Sequence, residues 1–372
     1  MPEINRQRPL FDRFPALRRG LPLLGLADLP TPVRALSTLG EQAGVPSLWL
    51  KDDGQCSPHY GGNKVRKLEL VLAAARAEGA SQVLTFGYAG SNHATATAVH
   101  AARAGMRSIS ILLPQENAPY LRKNLLVSAA AGAEIHEYPS RRALYVGTAL
   151  TMLRHRLRNG RKPYVISPGG SSPLGTIGLV NAAFELAEQV SAGVLPRPHT
   201  VYAAAGTLGT VVGLALGFAA LEWPTRVVAV RVVDPRFVDA ARVLALWRRT
   251  NALLVSNDAR FPELGDPGDR IAVRGEFFGE TYARETPASK QAATLALELE
   301  GLALDPTYTA KAMACLLADA AAGVSPDGPT LFWNTCNSSD ISASMAAANA
   351  ADLPRRLQRY FNDADGPFPA AR

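Results

Sequence analysis

The sequence alternates between two hydrophobic rhythms. Short apolar runs, "PSLWLKD" (46–52), "QVLTFG" (82–87), "SISILLP" (108–114) and "EIHEYP" (134–139), have the length and composition of buried strands. Each is followed by a stretch with apolar residues three and four apart: "KVRKLELVLAAARAEGA" (64–80), "SNHATATAVHAARAGM" (91–106), "APYLRKNLLVSAAAGA" (118–133) and "RRALYVGTALTMLRHRLRNG" (141–160). That spacing predicts helices, several stopped by a glycine and one opened by the cap formers serine and asparagine. The second half repeats the theme. "YVISPGG" (164–170) is a strand entering a glycine turn, and "LGTIGLVNAAFELAEQV" (174–190) is a helix. "TVYAAAGTLGTVVGLALGFAALE" (200–222) is strand, glycine loop and helix, and "TRVVAVRVVD" (225–234) is a strand. After "DPRFVDAARVLALWRRT" (234–250) a less regular stretch runs to about residue 287, before a helix in "ASKQAATLALELEG" (288–301) and a late strand in "PTLFWNT" (329–335). Strict alternation of strand and helix predicts an α/β protein with parallel sheets covered by helices. The end, "NDADGPFPAAR", is expected to fray.

Composition narrows the function classes. The 372 residues are 47% hydrophobic and 19% charged, which suits two soluble α/β domains or one large one. The net charge of +7 raises nucleic-acid binding, but the arginines are scattered and their densest patches are isolated pairs such as Arg141-Arg142 and Arg248-Arg249. No apolar run reaches the ~20 residues of a membrane span. The opening "MPEINRQRPLFDRF" lacks the apolar centre of a signal peptide. Cys56, Cys315 and Cys336 are odd in number and far apart, without metal-ligand spacing. These features point to a cytoplasmic protein with no metal site, no nucleic-acid partner and no membrane.

Four segments place small or polar residues just after a strand, where parallel α/β sheets bind ligands. The first is Gly61-Gly62-Asn63-Lys64. Only seven lysines stand against thirty-two arginines, so a lysine in the first turn of a helix invites a chemical reason. Unlike arginine, it can lose its proton and attack a carbonyl. The helix dipole and the neighbouring Arg66 or Lys67 would lower its pKa. A solvated helix start is the other reading. The second is Ser91-Asn92-His93, whose N–H groups could bind a carboxylate and whose serine could relay a proton, or which could be plain capping. The third, Gly206-Thr207-Leu208-Gly209-Thr210, offers bare N–H groups and hydroxyls as a phosphate cradle, or close helix–strand packing. It is neither a Walker A loop nor GxGxxG, although Asp234 at the end of the next strand leaves a dinucleotide site open. The fourth puts Tyr308 and Thr309 before a helix in "LALDPTYTAKAM" (302–313) and Thr335 just past a strand in "LFWNTCN" (331–337).

In order and wording, "GGNKVRKLE", "SNH", "GGSSPLGTIGLVNAAFEL" (169–186), the glycine loop, "LDPTYTAKAMACLL" and "FWNT" resemble the D-cysteine desulfhydrase and 1-aminocyclopropane-1-carboxylate deaminase family over residues 25 to 345. The resemblance implies the tryptophan synthase β-like fold (fold type II), with two open parallel-sheet domains and pyridoxal 5'-phosphate as cofactor. It implies a larger cofactor domain of residues 1–66 and 176–372 and a smaller α/β domain of residues 67–175. It further implies that Lys64 bonds the cofactor, that Asn92 meets the ring hydroxyl, and that Gly206, Thr207, Leu208, Gly209 and Thr210 hold the phosphate. Thr335 would sit by the ring nitrogen, and Ser91, Asn92 and His93 would receive the substrate carboxylate. Tyr308 and Tyr282, the latter in "GETYAR", would stand over the substrate, a small amino acid, with Ser91 and Tyr308 handling protons. Lys67 would add positive field. A homodimer is the family expectation.

The chain departs from the family at the substrate pocket. Deaminases carry glutamate after the DP-x-Y tyrosine; here it is Thr309, as in the desulfhydrase branch. Gly90 replaces a glutamine before Ser-Asn-His, and "ATAT" replaces the Arg-Gln pair that follows it. Asn334-Thr335-Cys336-Asn337 replaces His-Thr-Gly-Gly, and Leu208 stands where glycine is common. The expected activity is α,β-elimination from a small amino acid, giving ammonia and a 2-keto acid. β-Replacement or racemisation, a nucleotide-binding oxidoreductase and a non-catalytic relative remain as alternatives.

Overall fold

Ten strands run through the described residues of the computed structural model, 8–324 and 328–362. They are β1 (Val33–Ala35), β2 (Leu48–Asp52), β3 (Gln82–Tyr88), β4 (Arg107–Leu113), β5 (Glu134–Glu137), β6 (Tyr164–Val165), β7 (Thr200–Ala205), β8 (Arg226–Arg231), β9 (Ile271–Arg274) and β10 (Thr330–Asn334). They form two sheets, in the orders β1-β2-β10-β7-β8-β9 and β5-β4-β3-β6. All pairings are parallel except β1 with β2. The two parallel-sheet units of an α/β protein are therefore as expected, with one antiparallel edge strand that the hydrophobic pattern did not signal.

The chain divides into two compact units. The larger takes the chain up to Ser57, Gly61–Leu70 and Ser171–Ser338. Its central strands are buried on both faces. Val201, Ala203, Ala205, Val227, Ala229, Leu331 and Trp333 face one core, shared with helices Pro173–Ser191 and Gly209–Ala220. The alternate residues Tyr202, Ala204, Val228, Val230 and Phe332 face another, shared with helices Pro287–Glu300 and Thr309–Ala321. This period of two, with both sets apolar, is why these strands read as unbroken apolar runs. Helix Ala240–Asn257, capped by Asp239, leads into the less regular stretch, which contains β9 on the sheet edge.

The smaller unit takes Pro58–Tyr60, Val71–Gly170 and the chain from Ser339 on. Leu84, Ile109, Ile111 and Leu144 fill one side of its sheet. On the other, Ala89, Leu112, Leu121 and Leu125 pack with Leu353, Leu357 and Tyr360. Residues after 338 were expected in the larger domain. Here their apolar side chains join the smaller unit's core, and the Tyr360 hydroxyl donates to Glu137 at 2.7 Å. Their helices are too short to carry a periodic signal. The terminal segment expected to fray lies outside the described residues beyond Asn362. Among the described residues no helix is long and apolar enough to cross a membrane.

Candidate active site

Lys64 opens helix Lys64–Ala77 immediately after the Gly-Gly-Asn turn. Gly62 has φ +90, and a Cβ there would lie 2.9 Å from the Thr335 carbonyl oxygen, so the turn needs glycine to lie this close to the segment after β10. The Gly61 N–H donates to Asn337 Oδ1 at 2.5 Å, and the Asn63 side chain donates to Thr210 Oγ1 at 2.7 Å. Lys64 Nζ donates to Asn63 Oδ1 at 2.8 Å and lies 5.9 Å from the centroid of the Tyr308 ring. Burial lowers its pKa to about 8, against the opposing pull of Asp305 and Cys336. The expected causes were different, namely the helix dipole and Arg66 or Lys67. Arg66 is instead neutralised inside the unit, where its guanidinium donates to Asp53 and Glu185 at 2.8 Å each. Trp333 Nε1 also donates to Asp53, and Lys51 to Glu185. Burial alone would raise the Glu185 carboxyl, but Arg66 and Lys51 overcome it and hold it at about 2. This closed set of charges fixes the turn that carries Lys64.

The glycine loop joins β7 to helix Gly209–Ala220. Leu208 is buried with φ +67, a left-handed conformation that costs a bulky residue roughly 1–2 kcal/mol. The leucine that replaces a common glycine is therefore held in a glycine's conformation. Ser171, which follows two left-handed glycines, Gly169 and Gly170, sits against this loop. Its Oγ accepts from Lys67 Nζ at 3.0 Å and from the Gly209 N–H at 3.2 Å, and lies 2.7 Å from Thr207 Oγ1. A Cβ on Gly209 would meet Ser171 Oγ at 2.5 Å and Lys67 Nζ at 2.9 Å. Burial pushes the Lys67 ammonium well below its ordinary pKa, and the Lys64 charge adds to this. A dianionic phosphate would reverse both effects, and a helix N-terminus, three hydroxyls and a buried cation are the groups that bind one. The residues present thus fit a phosphorylated aldehyde. Ser171 and the cradle position of Lys67 were not foreseen. Their signal was the pair of glycines before Ser171 and the one-turn spacing from Lys64.

Tyr308 precedes helix Thr309–Ala321. Its hydroxyl lies 2.5 Å from that of Tyr282, and its Cε1 would be 3.3 Å from a Cβ on Gly206. Asp305 fixes this turn, accepting from the N–H groups of Thr307 and Tyr308 and from the Thr309 hydroxyl at 2.8 Å. Lys64, Tyr308, Tyr282 and the glycine loop are thus assembled in the larger unit, with the Thr335 backbone against Asn63. Asp234 is partly exposed and is engaged by the Arg236 backbone and guanidinium, so it does not stand as a waiting ribose acceptor.

Ser91, Asn92 and His93 belong to the smaller unit. Ser91 caps helix Asn92–Arg103, accepting from the Ala94 N–H. Asn92 Oδ1 accepts from the Tyr60 hydroxyl at 3.1 Å and from the Asn124 side chain at 2.8 Å. The His93 ring is buried, its Nε2 2.9 Å from Thr85 Oγ1, which leaves the backbone of this helix start as the part expected to meet a carboxylate. Gly90 also has a local reason. A Cβ there would lie 2.9 Å from the Tyr120 ring and 3.1 Å from Gln115 Nε2, while Gln115 Oε1 accepts the Gly90 N–H. Gln115 brings an amide to position 90 from the end of another strand.

A partly buried lysine with a lowered pKa beside a loop fit to cradle a phosphate defines a site for an aldehyde cofactor. The sequence model described as "Pyridoxal-phosphate dependent enzyme" matches residues 25–335, and the chain belongs to that family. It is similar to nocardicin C-9' epimerase of Nocardia uniformis subsp. tsuyamanensis, 35% identical over 326 residues, covering 85% of this chain and 92% of that one. It is also similar to D-cysteine desulfhydrase of Salmonella paratyphi B, 33% identical over 326 residues, covering 84% and 93%. Among solved structures, an ACC deaminase homologue superposes with a TM-score of 0.75 at 28% identity, over 92% of this chain and 100% of that one. The protein is a pyridoxal-phosphate-dependent enzyme with the fold type II architecture of these neighbours, and the oxidoreductase alternative is set aside.

Proposed function

We propose that this enzyme performs α,β-elimination on a small amino acid, releasing ammonia and a 2-keto acid. The observation that carries this is Thr309. The position after Tyr308 holds no carboxylate, and its hydroxyl is taken up by Asp305. That supports the desulfhydrase-like branch over an aminocyclopropane substrate, and a desulfhydrase is among the relatives. Bound pyridoxal phosphate supplies an aldehyde that takes up the substrate amine and acidifies its α-carbon. Lys67, Ser171 and Gly206 to Thr210 would hold the phosphate, and Thr335 would serve the ring nitrogen. Asn92 would serve the ring hydroxyl, and the helix N-terminus at Ser91-Asn92-His93 would take the substrate carboxylate through its backbone. Lys64 would bond the cofactor. With a pKa of about 8, roughly a tenth of it is neutral at pH 7, against roughly 0.03% for an ordinary lysine. It then serves as base at the α-carbon, and Tyr308, bonded to Tyr282, moves a proton to the leaving group. Ser91 is a second proton relay.

The epimerase relative favours a second reading, inversion at the α-carbon, with Lys64 and Tyr308 as the two proton handlers. The enzyme is further proposed to be a cytoplasmic homodimer; its three free cysteines suit a reducing compartment. A panel of D- and L-amino acids tests the activity. Keto acid and ammonia from one small amino acid supports elimination, inversion without ammonia supports the second reading, and neither product from any member refutes both.

A further inference from the structure

The loop of residues 275–286, between β9 and helix Pro287–Glu300, carries Tyr282. It contains two left-handed residues, Gly279 at φ +78 and the non-glycine Ala283 at φ +69. A conformation of that kind persists only where the surroundings impose it. One constraint comes from Lys311, in the first turn of helix Thr309–Ala321. Lys311 is wholly buried, its Nζ donates to the Phe278 carbonyl oxygen at 2.5 Å, and it lies 5.5 Å from the centroid of the Phe278 ring. A buried lysine is costly, and here burial pulls its pKa down to about 8 against Asp305 and Glu285. Nothing in the chemistry assigned above uses it. Its bond spans the same two elements as the Tyr282–Tyr308 hydroxyl contact: the loop on one side, the start of the helix on the other. Asp305 ties the pair together, since it caps the turn that holds Tyr308 and faces Lys311 electrostatically.

We propose that Lys311 is a positioning residue that clamps loop 275–286 to the start of the Tyr308 helix and so holds Tyr282 against Tyr308. This rests on the roles given to the two tyrosines under Proposed function. A charge-assisted hydrogen bond in a buried setting is a strong tether, and a tyrosine displaced by about 1 Å can lose up to about a hundredfold in rate.

The test is amide hydrogen exchange, read by mass spectrometry on the cofactor-loaded enzyme, beside steady-state kinetics on the best substrate of the panel. In Lys311→Met, peptides covering 275–286 are expected to exchange about 10–100-fold faster, with β10 unchanged. kcat is expected to fall by about tenfold or more, and the cofactor absorbance to persist. Phe278 is only partly buried, so Phe278→Leu leaves the fold intact and should loosen the same loop to a smaller degree. Wild-type exchange of the loop in Lys311→Met overturns the proposal, as does faster exchange with unchanged kcat. Should Lys311→Met not fold, Lys311→Leu takes its place, and wild-type exchange of the loop in that variant overturns the proposal. Tyr282→Phe is measured alongside. If that variant turned over at the wild-type rate, the role of the tyrosines would fail, while the exchange comparison would still decide whether Lys311 holds the loop.

Discussion

Gly209→Ala is predicted to weaken cofactor binding by about 10–100-fold while leaving the fold in place. The added Cβ would stand 2.5 Å from Ser171 Oγ and 3.1 Å from Ser171 Cβ, where ordinary contact needs about 3.4 Å or more. Ser171 must therefore move by most of an ångström. Its Oγ holds three groups of the cradle: the Lys67 ammonium, the Gly209 N–H and the Thr207 hydroxyl. Neutral hydrogen bonds of this kind contribute roughly 0.5–1.5 kcal/mol each and a charged one roughly 1.5–3. Losing the neutral pair, or the charged bond alone, corresponds to about 1–3 kcal/mol, hence about 10–100-fold in affinity. The apoenzyme would be titrated with pyridoxal phosphate by absorbance. The companion variant Ser171→Ala loses the bonds and removes the tightest of the new contacts, the one to Oγ at 2.5 Å. The double variant should therefore bind no worse than Ser171→Ala alone, a coupling that a double-mutant cycle reads directly. Wild-type affinity in Gly209→Ala, or full additivity of the two changes, would refute the cradle as described.

Other expectations follow from the same geometry. Tyr308→Phe should lower kcat by about 10²–10⁴-fold with little loss of cofactor, measured by steady-state kinetics and absorbance; wild-type turnover would return Tyr308 to a packing role. Cys336→Gly combined with Asn337→Gly should change which amino acids are accepted, because Asn337 holds the Gly61 N–H and Cys336 acts electrostatically on Lys64; an unchanged substrate profile would contradict this. The rate at which apoenzyme captures cofactor should rise with pH to a midpoint near 8, since the neutral amine is the reactive form; a midpoint near 10.5 would mean that Lys64 is not desolvated. The sign for stability is the same. Between pH 8 and 10.5 the unfolded chain keeps a proton that native Lys64 has lost, so apoenzyme stability should rise with pH in that window and level off below it, as chemical denaturation at each pH would record.

Much of this was legible in the sequence because parallel sheets put their chemistry at strand–helix junctions. Lys64, the 206–210 loop and Tyr308 each break a hydrophobic rhythm at such a junction. What the sequence hid depends on approach through space. Lys311 has the same local pattern as any lysine on a helix and becomes distinctive only where its Nζ meets the Phe278 carbonyl oxygen. Ser171 is 38 residues from Gly209, and Gln115 is 25 from Gly90, so neither partnership shows as a spacing. The place of the His93 side chain was hidden in the same way: a helical turn rotates consecutive residues by about 100°, and this one faces inward to Thr85. The pocket departures were visible as letters. Their physical meaning came only with Leu208 at φ +67 and with Tyr120 and Gln115 filling the space beside Gly90.

The central claim is that Lys64 is the lysine that bonds the cofactor. Borohydride reduction of the loaded enzyme fixes that bond permanently, and digestion with mass spectrometry then locates the modified residue. The label is predicted on Lys64, with loss of the visible absorbance band on reduction and no such band in a folded Lys64→Ala protein. A label on Lys67, Lys51 or Lys311 would contradict the account.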